Sequence, residues 1–103
     1  MNAFNDYNSL VDFMADVYFK RSGPISFSPE EMSMVEALCQ GHPNFWAEIF
    51  AKVEQLVINA NEVGITFSDE HKEYLSGLLE NAREKYGNLT QYLYDNKDNN
   101  LKR

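Results

Sequence analysis

Two places in this chain hold side chains of a type that could do chemistry. Cys39 and His42 stand three apart, on either side of a Gly41 that should end a helix. A thiol and an imidazole so placed could be a nucleophile with its base, or half of a metal site. There is no second cysteine, and the other histidine, His71, stands at a distant helix start beside Asp69 and Glu70. Two ligands do not make a zinc site. The pair therefore reads as a small buried thiol and a histidine near the start of the next helix. His71, with anions around it, should have a raised proton affinity and make at most a modest pH sensor. The sequence has no Gly-rich phosphate loop, no Gly-x-Ser-x-Gly and no His-Glu-x-x-His. The expectation is a protein without a catalytic residue, a metal or a cofactor.

Carboxylates are the abundant functional group. The formal net charge is −7, and between Glu30 and Glu80 ten carboxylates face two lysines, Lys52 and Lys72. On a helix starting after Ser68, Glu70, Glu73, Glu80 and Glu84 fall at i, i+3, i+10 and i+14, along one exposed ridge. Glu30, Glu31 and Glu36 add charge from a preceding helix, and Glu48, Glu54 and Glu62 from the helix between. Acids three or four residues apart stand about 5–6 Å apart at Cβ, comparable with phosphates along a strand. Few lysines interleave them, so pairing within a helix is not their purpose. Such a surface repels nucleic acid and anionic membranes, and its natural complement is a basic partner. A helix-turn-helix outline across Gly41 fails on the same ground, because it would offer Asn44, Ala47, Glu48 and Ala51 to DNA.

The elements that would position these groups are helical. Phe4, Tyr7, Val11, Met14 and Tyr18 follow a 3–4 spacing, predicting a first helix from Asn5 or Asn8 to Lys20 or Arg21, stopped by Gly23-Pro24. Ser28, Pro29 and Glu31 form a capping box with proline at the first helical position, and Phe27 is placed to staple onto Met32. That second helix should bury Met32, Val35, Leu38 and Cys39 and end at Gly41. Pro43 should start a third helix running to about Glu62, with an apolar face of Trp46, Ile49, Phe50, Val53, Leu56, Val57 and Ala60. Its solvent side would be Glu48, Lys52, Gln55, Asn59 and Glu62. Ser68 caps a fourth helix that turns Leu75, Leu78, Leu79, Ala82 and Tyr86 inward and ends at Gly87. Asn88 to Tyr94 supplies a short fifth.

The motif Ile25-Ser26-Phe27-Ser28-Pro29-Glu30 returns forty positions on as Ile65-Thr66-Phe67-Ser68-Asp69-Glu70, each copy opening a helix. The layout is similar to that of paired EF-hands. Aligned on the isoleucines, however, the oxygen-ligand positions fall on Tyr18, Lys20 and Ser22 in one copy and on Ile58, Ala60 and Glu62 in the other. The closing carboxylate falls on Pro29 in the first copy and Asp69 in the second. Calcium needs six or more oxygens at such points, so the loops hold none.

The sequence thus predicts an all-α fold of four main helices as two tandem hairpins, with a short C-terminal fifth helix. Residues 1–95 should form one domain, and 96–103, with Lys97, Lys102 and Arg103, a frayed basic tail. The 103 residues suffice for one core, and 44% hydrophobic content supplies it. The lone cysteine, the absence of a long apolar run and the polar first residues place the chain in the cytoplasm. The expected function is that of a small acidic protein-binding module. It would inhibit or regulate a nucleic-acid-processing protein by imitating a phosphate backbone, as suits an inhibitor of phage or mobile-element type. The alternative is a structural or assembly subunit that self-associates through exposed aromatics, Phe19, Tyr92 and Tyr94.

Overall fold

A computed structural model describes residues 5–21 and 26–92 of the chain. It is all-α: α1 is Tyr7–Lys20, α2 Pro29–Cys39, α3 Phe45–Glu62 and α4 Asp69–Tyr86, and residues 89–92 form a further helical turn. No helix among the described residues is long and apolar enough to cross a membrane.

Each helix begins as its local sequence dictates. Asp6 caps α1 by accepting the Ser9 N–H at 2.7 Å, and this bond holds its carboxyl below the usual range. Ser28 and Glu31 form the expected reciprocal capping box, the Glu31 N–H reaching Ser28 Oγ (3.2 Å) and the Ser28 N–H reaching Glu31 Oε1 (3.0 Å). Ser68 Oγ takes the His71 N–H at 3.2 Å. α3 starts at Phe45 rather than Pro43, because the Phe45 N–H closes a separate tight turn onto the His42 carbonyl first. α3 ends in a Schellman arrangement, the Ile65 N–H returning to the Ala60 carbonyl (2.9 Å) across Gly64, whose φ of +83° disfavours a side chain.

α3 is the hub. It runs beside α1 in the same direction, with Tyr7 meeting Glu48 and Lys52 pairing with Asp12 further along both helices. Its first half is buried on nearly every side: Phe45, Ala47, Glu48, Ile49 and Ala51 are all inside, and Val53 and Ala60 continue the core. α4 comes back antiparallel to α3, with Tyr86 stacked near Phe50 and Arg83 bound to Glu54. Leu75, Leu79 and Ala82 seat it, and Leu89 in the last helical turn closes the core at that end. α2 returns alongside α1, with Phe27 against Phe13 at one end and His42, just past its other end, against Tyr7.

Three expectations about packing are corrected. α2 buries no residue fully: Val35, Leu38 and Cys39 are half-buried, and Met32 is 44% exposed. Trp46 is 45% exposed, since the buried sector of α3 is turned toward Ala47 and Glu48 by the close approach of α1. Phe19 and Tyr92 are not free aromatics. Phe19 packs edge-on to Phe67 and His71, and Tyr92 donates its hydroxyl to the Tyr86 carbonyl at 2.8 Å. Tyr94, Ile25, Gly23-Pro24 and the 96–103 tail lie outside the described residues.

Candidate functional site

The fourth helix owes its exposure pattern to how firmly its other side is fixed. Tyr74 donates its hydroxyl to the Tyr18 carbonyl (2.7 Å), and His71 donates through Nε2 to the Phe19 carbonyl (2.8 Å). Both bonds reach carbonyls in the last turn of α1, that of Tyr18 also taking the Arg21 N–H at 3.3 Å. With that side and the Leu75–Leu79–Ala82 row held inward, Glu70, Glu73, Glu80 and Glu84 are all exposed. At 1.5 Å per residue they extend over about 21 Å of helix. The three ion pairs among the described residues use Asp16, Asp12 and Glu54, so none draws on this ridge.

The acids on the other helices divide. Glu30 and Glu36 on α2 are exposed. Glu31 is half-buried with its carboxylate engaged in the capping box, so it is committed to the helix start. Glu62 is exposed, but two α3 acids assigned to the surface are inside or tied down. Glu54, whose side chain is 14% exposed, accepts from Arg83 Nε (3.0 Å) and from Thr90 Oγ1 (3.0 Å), clamping α4 and the last helical turn to α3. Glu48 is 7% exposed and accepts the Tyr7 hydroxyl.

The Tyr7–Glu48 contact belongs to a cluster that also gathers Cys39 and His42. The His42 ring lies flat on the Tyr7 ring, with centroids 3.5 Å apart and planes within 10°. Burial, reinforced by the Glu48 hydrogen bond, pushes the Tyr7 hydroxyl far above the usual tyrosine range. Burial likewise pushes the Cys39 thiol up, the opposite of what a nucleophile needs. The imidazole is held face-on to Tyr7, and His42 and Cys39 meet through backbone, the His42 N–H donating to the Cys39 carbonyl at 3.0 Å. No group of three His, Cys, Asp or Glu side chains among the described residues is arranged to hold a metal ion. His71 is likewise half-buried among Phe19, Phe67 and Tyr74.

Beside α4 lies a feature the helical periodicity did not announce. A groove of about 570 Å³ is lined by Met14 and Val17 of α1, Phe27, Met32 and Val35 at α2, and Trp46 at the start of α3, with Tyr74 of α4 at its side. It exists because α2 stands off the core, and because Trp46 turns out of it. No protein-family model, curated protein or solved structure matches the chain, so the functional reading rests on this geometry.

Proposed function

We propose that this chain is an acidic, non-catalytic docking module for a partner with a basic surface, and that it regulates a nucleic-acid-processing protein by occupying that surface. The observation that carries the reading is the α4 ridge: four exposed carboxylates in one row, outside the ion pairs among the described residues. Carboxylates left unpaired on a rigid helix keep their full field for a partner, whereas paired ones are already neutralised. The helix is rigid on that side because its inner face is buried and its first turns are bonded to the end of α1. Glu30 and Glu36 extend the negative surface.

The test is capture from the native host on the immobilised full chain, followed by elution with salt and with duplex DNA. The reading expects retained protein to be released by both, and retention to be lost when Glu73, Glu80 and Glu84 are changed to glutamine. Retention indifferent to salt and to the triple substitution would refute it.

A second reading, self-association, moves to a different surface from the aromatics first named. Ile58, Val63 and Ile65 are 42%, 73% and 53% exposed around the turn between α3 and α4. Val63→Asp should then abolish a dimer seen by sedimentation; a monomer at all concentrations rejects this reading.

A further inference from the structure

We propose that the groove between α1, α2 and the start of α3 receives the apolar face of a cationic amphipathic helix from the partner. The inference rests on the docking reading above and gives it an anchor. The groove's volume, about 570 Å³, lies within the roughly 300–1,000 Å³ of ordinary ligand sites. Its lining is mostly apolar, and two large side chains of that lining, Met32 and Trp46, stand nearly half in water. Such a surface gains by being covered.

The walls decide the occupant's conformation. They are side chains of helices, and no strand edge exists among the described residues to pair with an extended chain. An occupant's backbone must therefore satisfy its own hydrogen bonds, as a helix does, and present apolar side chains at i, i+3, i+4 and i+7.

The lips decide its charge. On α2 the exposed Glu36 lies one turn after Met32, and on α4 the exposed Glu70 lies one turn before Tyr74, each on the helix face of its lining residue. The one cation among the lining residues, Arg21, has its guanidinium carbon 5.1 Å from the centre of the Tyr74 ring and lies over that ring. An acidic helix would meet like charges along both lips, whereas a lysine- or arginine-bearing one meets opposite charges. α2 can also adjust to its guest. It has no fully buried residue, and Met32 and Met34 supply unbranched, polarizable side chains that repack readily.

The experiment uses the full chain and the emission of Trp46, its only tryptophan, which sits at the groove mouth. The probe is a synthetic helical peptide with leucines on one face and lysines on the other. One control has the same composition scrambled, and a second keeps the leucine face but replaces lysine by glutamine. The expected result is a saturable blue shift with the probe and none with the scrambled peptide. Affinity should fall by about tenfold or more for the glutamine peptide, and likewise for Met32→Gln, a substitution at an exposed position that leaves the circular dichroism unchanged. Scrambled peptide binding as tightly as the probe, with Trp46 unmoved, would overturn the groove while leaving the acidic docking reading standing. The glutamine peptide binding as tightly as the probe would overturn the cationic occupant. Emission that shifts with protein concentration alone, together with a dimer in sedimentation, would make the occupant a second copy and overturn the proposal too.

Discussion

The two serine caps, Ser28 and Ser68, are nearly the same object. Their backbones sit at φ −67°, ψ 163° and φ −63°, ψ 159°, and each hydroxyl oxygen accepts the N–H three residues on at 3.2 Å. Each is preceded by a phenylalanine that packs against α1, Phe27 on Phe13 and Phe67 on Phe19. Yet the helices they start differ in kind. α4 drives Leu75, Leu79 and Ala82 into the core, whereas α2 buries nothing fully. The residue at the third helical position marks the divergence. In α2 it is Glu31, which turns back to close the capping box; in α4 it is His71, which reaches across to the Phe19 carbonyl. A cap fixes where a helix begins, and the long-range partners of the next two turns fix what it is for. In this chain one capped helix is a rigid carrier of outward acids, and the other is a loosely held wall of an apolar groove.

Truncation in the two helices should expose that difference most strongly. Leu79→Ala, at a buried α4 position, should cost about 2–5 kcal/mol in chemical denaturation. Met32→Ala on α2 should cost less than about 1 kcal/mol, because Met32 is already largely in water. Equal costs would mean that α2 is seated as firmly as α4.

Tyr7→Phe probes the cluster that anchors the far end of the first hairpin, and should cost about 1–3 kcal/mol by removing the hydroxyl bound to the buried Glu48. It should also blunt the alkaline limb of stability. The folded chain holds the Tyr7 proton well above the tyrosine range, whereas the unfolded chain releases it near pH 10. Stability is therefore level up to about pH 10 and falls as pH rises beyond it, because the folded state then binds more protons than the unfolded one. Tyr74, also raised by burial, leaves a residue of that slope in the variant. A variant with an unaltered slope in equilibrium unfolding would remove Tyr7 from the account.

Ser28→Ala and Ser68→Ala should each cost about 1 kcal/mol, since the caps are geometrically alike. The costs should be read locally by amide exchange: the first confined to α2, the second felt also by α1 through His71. Glu73→Gln, Glu80→Gln and Glu84→Gln together should have the smallest effect on the free chain, within about 0.5 kcal/mol per site in thermal unfolding, as befits exposed groups outside the ion pairs among the described residues.

Much of the fold was legible because local rules decide it. The Ser28-Pro29-Glu31 box, the Ser68 cap and the glycines at 41, 64 and 87 marked the helix ends, and all three glycines have positive φ. The α4 ridge was legible too, since one strong apolar row defines the opposite face. What periodicity could not supply was α3's second buried side. Glu48 and Trp46, two residues apart, point to nearly opposite sides of that helix, and the approach of α1, bringing Tyr7 to Glu48, sends the acid inside and leaves the indole outside. α2 was misjudged for a similar reason, because its apolar residues mark an inward face but no long-range partner buries any of them fully. The groove follows from those two displacements, and so no local signal announced it.

The contrast between the two capped helices is tested most directly by native-state hydrogen exchange of the free chain, resolved by helix. The structure predicts that α2 amides exchange through a partial opening well below the global unfolding free energy. The amides of α3, and those of α4 around Leu75 to Ala82, should exchange only with global unfolding. Equal protection in α2 and α4 would contradict the account, and with it the separation of groove wall from acidic carrier.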